Sequence, residues 1–123
     1  MKKRGIGVDL VEVYRIQRAV TRWENRFLHR VFLPQELAYC LSKTVSSPHL
    51  AVRFAAKEAA YKALALPQLR WQDFWVKSEG GVPYLGYSPK VSEMRPNLEL
   101  TLSLSHTHEH AVAVVWAEWE EKD

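Results

Sequence analysis

Two carboxylates and a group of bases carry the most legible chemistry in this chain. The segment Arg53-Phe-Ala-Ala-Lys-Glu-Ala-Ala-Tyr-Lys-Ala-Leu64 sets Arg53, Lys57, Glu58 and Lys62 among alanines, with no Gly or Pro to interrupt a helix. Glu58 and Lys62 are four residues apart and share a helix face, with Phe54 one turn earlier. A Glu–Lys pair at this spacing is commonly a solvated ion pair worth about 0.2–0.5 kcal/mol. A helix with one acid and several bases also suits a metal and its phosphate ligand. Asp9 lies inside the apolar run of residues 5–11. A buried carboxylate is costly unless paired or metal-bound; the bland alternative is that Asp9 ends the strand and caps the next helix. If Asp9 faces Glu58, a divalent cation between them removes their repulsion. Oxygen ligands completed by waters and substrate phosphates are what Mg²⁺ prefers.

Ser105, His106 and Thr107 follow an alternating apolar segment and could donate hydrogen bonds to phosphate, or simply form a polar turn. His106, His108 and His110 alternate, a spacing open to a transition metal only if the segment stays extended; a turn would splay the rings. Arg15, Arg18, Arg22 and Arg26 form a stripe at helical spacing. Such a face is either solvated or docks an acidic helix or a phosphate backbone. Trp23 and Phe27 fall on the apolar stripe with Ile16 and Val20, not among the arginines, which argues against single-stranded nucleic acid. Trp71, Trp75, Trp116 and Trp119 are expected in the core, with some at a subunit interface.

The elements that must position these groups follow from periodicity. Residues 5–11 read as a buried strand and 12–30 as a helix. A second helix starts at Pro34 and runs to about Lys43. Residues 44–48 form a loop, and a long helix covers about 48–66, ending before Pro67. Residues 74–78 and 83–87 read as strands joined by a turn at Glu79-Gly-Gly-Val82. Residues 88–95 form a short helix or loop; 98–105 and 111–119 are the last strands. The class is α+β, with a long central helix on an antiparallel sheet.

The 123 residues suit one domain, 1–123. A hydrophobic share of 47% and a charged share of 25% fit a globular protein, and no apolar run is long enough to span a bilayer. The amino-terminal apolar run carries Asp9 and Glu12 and lacks a small-residue cleavage site, so it does not read as a signal peptide. Cys40 is the only cysteine, which favours a cytoplasmic, reducing location. A net charge of +3 suits an acidic partner.

Three segments taken together resemble one family: Gly5-Ile-Gly-Val-Asp-Leu-Val-Glu12 followed by Arg15-Ile16, the Arg53–Leu64 helix, and Ser103-Leu-Ser-His-Thr107. In this order they look like the signature blocks of the small 4′-phosphopantetheinyl transferases that act as holo-acyl-carrier-protein synthases; Gly81-Val-Pro-Tyr-Leu85 matches the family's Gly-x-Pro segment. The resemblance implies transfer of the 4′-phosphopantetheine arm from coenzyme A to a serine of apo-acyl carrier protein, with adenosine 3′,5′-bisphosphate released. It implies Asp9 and Glu58 as Mg²⁺ ligands and Lys62 as the phosphate-facing lysine. It implies Arg53, Lys57, Ser105, His106 and Thr107 on the coenzyme A surface, and Arg15, Arg22 and Arg26 on the carrier-protein face, which Arg18 joins by spacing. The general base is Glu58 or a metal-bound water. A homotrimer with its active sites between neighbouring subunits is implied as well. One departure stands out: the family's Gly-x-Gly after Leu64 is Ala65-Leu-Pro67 here, and Ala takes positive φ less readily than Gly, so a different helix exit is expected. That departure is the one support for a rival reading, a non-catalytic module that binds coenzyme A or carrier protein.

Overall fold

The computed structural model describes residues 1–67 and 70–121. Its elements are β1 (Lys2–Glu12), α1 (Val13–Trp23), α2 (Asn25–Val31), α3 (Pro34–Leu41), α4 (Ser47–Leu64), a 3₁₀ turn (Trp71–Asp73), β2 (Phe74–Glu79), β3 (Val82–Tyr87), α5 (Pro89–Met94), β4 (Glu99–His106) and β5 (His110–Glu120). The α+β class holds. β1, β5 and β4 form an antiparallel sheet in that order, while β2 and β3 pair as a separate hairpin. That hairpin turns at Gly80 and Gly81, whose φ values of 55° and 81° suit a tight two-residue connection.

The helix α4 lies against the inner face of the larger sheet. Ala55, Ala56, Ala59, Ala60 and Ala63 are buried, as are Ala111, Ala113, Val115 and Ala117 on β5. Gly5 and Gly7 complete this small-residue seam: a Cβ on Gly5 would be driven into the Ala63 carbonyl, and one on Gly7 into that of Ala59. Large side chains such as Phe32, Leu50, Leu64 and Phe74 fill the core around the seam. Each contributes about 1.5–3 kcal/mol by burial. The bulk therefore stabilises the fold, and the seam sets how closely strand and helix approach.

Three expectations are corrected. The helix expected over 12–30 is two helices, because Glu24 adopts φ 48° and its N–H closes on Val20 O at 2.8 Å. The first helix therefore ends at Trp23: Ile16 is buried and Phe27 half-buried, but Trp23, at that free end, is 46% exposed. Among the tryptophans expected inside, Trp71, Trp75 and Trp119 are half-buried, whereas Trp116 faces out. It sits in an apolar outer face with Ile6, Val8 and Leu10, opposite them in register with Val112 and Val114. The third correction concerns the end of α4. Ala65 does take the left-handed conformation, φ 51° and ψ 38°. Its N–H bonds Lys62 O and that of Leu66 bonds Tyr61 O, both at 3.3 Å, which is the 5→2 and 6→1 pattern of a Schellman end. Arg95 offsets the strain by donating to Leu64 O through Nε at 3.0 Å and Nη2 at 2.7 Å.

Candidate active site

Asp9 is not a helix cap. β1 continues to Glu12, and the Asp9 side chain, 17% exposed, points inward beside Gly7 and toward α4. Lys62 Nζ lies 3.1 Å from Asp9 Oδ1 and 3.0 Å from Val8 O. Glu58, one turn earlier on α4, is half-buried. Burial, and then the negative charge of Asp9, push its carboxyl above the ordinary carboxylate range, while Lys62 opposes the shift. The two carboxylates line one cavity of about 300 Å³ with Arg15, Ile16, Phe27 and Phe54. The donor set fits a hard divalent cation that keeps waters and phosphate oxygens, since two carboxylates feel each other's charge and a cation already stands against one of them. Among the described residues no group of three or more His, Cys, Asp or Glu is placed to hold a metal. The alternating His106, His108 and His110 are divided between β4, its turn and β5.

A second, basic region lies beside the β4–β5 turn. A cavity of about 380 Å³ is lined by Lys43, Val45, His49, His106, Thr107 and His108. His49 packs edge-on against His106 at 5.2 Å. Partial burial lowers the His49 pKa, and the positive surroundings of His106, Arg53 and Lys43 lower it further. Arg53, one turn after His49, is 6% exposed, lies over the Tyr39 ring at 4.3 Å and donates to His49 O at 3.2 Å. Thr107 Oγ1 accepts from Glu109 N at 3.2 Å and His110 N at 3.1 Å, so it also shapes the turn. Ser105 is set apart from His106: it pairs with Val112 on the outer sheet face, in line with Leu10. Lys43, Tyr39 and His49 escaped the sequence reading. The four-residue step from His49 to Arg53 was the available signal.

Lys57 belongs to neither region. It is fully buried, its Nζ donating to Glu36 Oε1 at 2.8 Å and Phe74 O at 2.6 Å. Its assignment to the coenzyme A surface is corrected on that ground: its ammonium is walled in by α3 and β2. Burial lowers its pKa and Glu36 resists that shift. On α4, His49 and Glu58 are nine residues apart, two and a half turns, so the basic region and the carboxylates occupy opposite sides of the helix.

The arginine stripe is exposed, with Arg15, Arg18 and Arg22 on α1 and Arg26 on α2. Trp23 stands among them, contrary to expectation, with Arg22 and Arg26 over its ring at 5.0 and 5.9 Å. Arg18 lies over Tyr14 at 5.7 Å. Arg15 lines the carboxylate cavity too, so this face runs into the candidate centre.

The profile of the 4′-phosphopantetheinyl transferase superfamily matches residues 5–115. The chain belongs to this superfamily. It is 40% identical over 118 residues to a holo-acyl-carrier-protein synthase of Protochlamydia amoebophila, covering 92% of this chain and 97% of that protein. It is 42% identical over 118 residues to one of Koribacter versatilis, covering 90% and 94%. An acyl-carrier-protein synthase–coenzyme A complex from Chronobacterium ammoniagenes superposes with a TM-score of 0.85 at 27% identity, covering 97% of this chain and 99% of that one. The Helicobacter pylori synthase bound to coenzyme A gives 0.80 at 33% identity, covering 89% and 96%. The phosphopantetheinyl transferase fold and the enzyme class expected from the three sequence blocks are thus borne out.

Proposed function

We propose that this chain transfers the 4′-phosphopantetheine arm of coenzyme A to a serine of apo-acyl carrier protein, releasing adenosine 3′,5′-bisphosphate. The reading places it in fatty acid biosynthesis as a Mg²⁺-dependent, cytoplasmic homotrimer whose residues 1–123 form one domain. The observation that carries it is the Asp9–Glu58–Lys62 cluster at the end of an arginine face. In the transfer the serine oxygen attacks the pantetheine-side phosphorus, and the bond to the bridging pyrophosphate oxygen breaks. Asp9 and Glu58 would hold Mg²⁺, which would supply charge neutralisation at the pyrophosphate. Lys62 turns to the phosphates and offsets charge on the leaving oxygen. Glu58, or a water held on the bound cation, would accept the serine proton. Arg15, Arg18, Arg22 and Arg26 receive the acidic carrier protein, and Arg15 borders the point where its serine must arrive. Arg53, His106 and Thr107 form the phosphate-binding surface for coenzyme A; Ser105, turned to the outer sheet face, does not join them.

Two features support an active site shared between copies. The basic region and the carboxylates lie on opposite sides of α4, so a single extended coenzyme A is better met by one region from each of two neighbours. The exposed apolar face of Ile6, Val8, Leu10 and Trp116 suits burial against another copy. The left-handed end at Ala65 preserves the conformation a glycine would give and removes the support for a non-catalytic module. Intact-mass spectrometry of an apo-acyl carrier protein incubated with this chain, coenzyme A and Mg²⁺ tests the proposal. A gain of one phosphopantetheine arm, prevented by EDTA, is expected. No gain from a folded sample that still binds coenzyme A would overturn it.

A further inference from the structure

We infer that Lys62 is an exchangeable counter-cation, which neutralises Asp9 in the free protein and must leave it before a divalent cation is bound. The inference rests on the reading of Asp9 and Glu58 as metal ligands. Lys62 Nζ donates to Asp9 Oδ1 at 3.1 Å and to Val8 O at 3.0 Å. Its side chain is 56% exposed on a flexible four-carbon stem, and among the described residues these two oxygens are its hydrogen-bond acceptors. With Lys62 present, two carboxylates and one ammonium carry a single net negative charge. With it withdrawn they carry two, matched to a divalent ion. The same ammonium then finds a new partner in the phosphates of the nucleotide. Metal and nucleotide must therefore each strengthen binding of the other, with Lys62 as the coupling element.

The test is direct binding of Mn²⁺, read from the electron paramagnetic resonance signal of the free ion, with and without coenzyme A. Lys62→Met keeps the length and apolar stem while removing the charge; Lys62→Arg keeps the charge. Without nucleotide, Lys62→Met is expected to bind Mn²⁺ about five-fold more tightly than wild type, the scale of one partly exposed ion pair. The tightening that coenzyme A brings should shrink in the same variant, and Lys62→Arg should behave like wild type. Equal or weaker Mn²⁺ binding by Lys62→Met in the absence of nucleotide, where wild type with coenzyme A does bind the ion, would overturn the counter-cation alone. No Mn²⁺ binding by wild type even with coenzyme A would remove the metal assignment and the inference with it.

Discussion

Helix α4 carries two lysine–carboxylate pairs five residues apart, and they differ in one physical respect. Lys57 and Glu36 are both fully buried and tied into α3, α4 and β2: Glu36 also accepts from Leu33 N and, through Oε2, from Val76 N, each at 3.0 Å. Lys62 and Asp9 meet at the edge of a cavity, with Lys62 more than half exposed. In the first pair both carboxylate oxygens and the ammonium have fixed partners, and leaving would strand a charge in a dry interior. In the second the partners stay within reach of water and ligand. Solvent access, rather than the identity of the charges, separates a structural clamp from a group free to do chemistry.

The largest expected effect lies at the open pair. Asp9→Asn or Glu58→Gln should lower kcat/KM for carrier-protein modification by roughly 10³-fold or more, with an unchanged circular dichroism spectrum. The same Glu58→Gln sharpens the comparison through stability. A raised carboxyl pKa contributes stability that is present below the ordinary carboxylate range and is lost as pH rises through the folded value. At neutral pH the ionised Glu58 therefore weakens the fold, and its replacement should raise the melting temperature. Discounted for solvent screening, the gain is about half a kcal/mol.

The sealed pair should respond the opposite way. Lys57→Met leaves Glu36 buried alone and should cost about 3–5 kcal/mol in urea titration, with the transfer rate per folded molecule kept. Glu36→Leu added to Lys57→Met should recover most of that loss. A double variant as unstable as the single one would show that the clamp is more than a compensated charge pair.

Arg22→Glu should raise the carrier-protein KM about ten-fold at low salt with little change in kcat. Arg15→Glu should lower kcat as well, because Arg15 lines the carboxylate cavity. Identical behaviour of the two would separate the docking face from the centre. A modest effect belongs to the end of α4. Ala65→Gly relieves a left-handed alanine and should stabilise by about 1 kcal/mol, seen as a rise of a few degrees in melting temperature.

The long helix, the Gly80-Gly81 hairpin and the last two strands were legible because each is written as a period or a turn signal within a few residues. Asp9 and Glu58 were legible as a pair because a carboxylate in an apolar strand stands out and the family blocks repeat it. What escaped depends on contacts between distant segments. Nothing local separates Lys57 from Lys62; the difference is Glu36 from α3 and the Phe74 carbonyl from β2. The break at Glu24 has no Gly or Pro to announce it, so nothing local shows that the first helix ends at Trp23 and leaves its ring exposed. Ala65 holds a conformation that alanine disfavours because Arg95, thirty residues on, captures the last carbonyls of α4.

The close approach of Gly5 and Gly7 to the α4 backbone has a further consequence for genetics. These residues bear no side chain, yet they determine how far the strand carrying Asp9 stands from the helix carrying Glu58. A saturation screen scored only on turnover would rank both glycines with the carboxylates proposed to hold the metal. The two classes part when each variant's soluble yield is read alongside its rate: a carboxylate variant stays abundant and idle, while a residue wedged into the seam loses abundance and rate together.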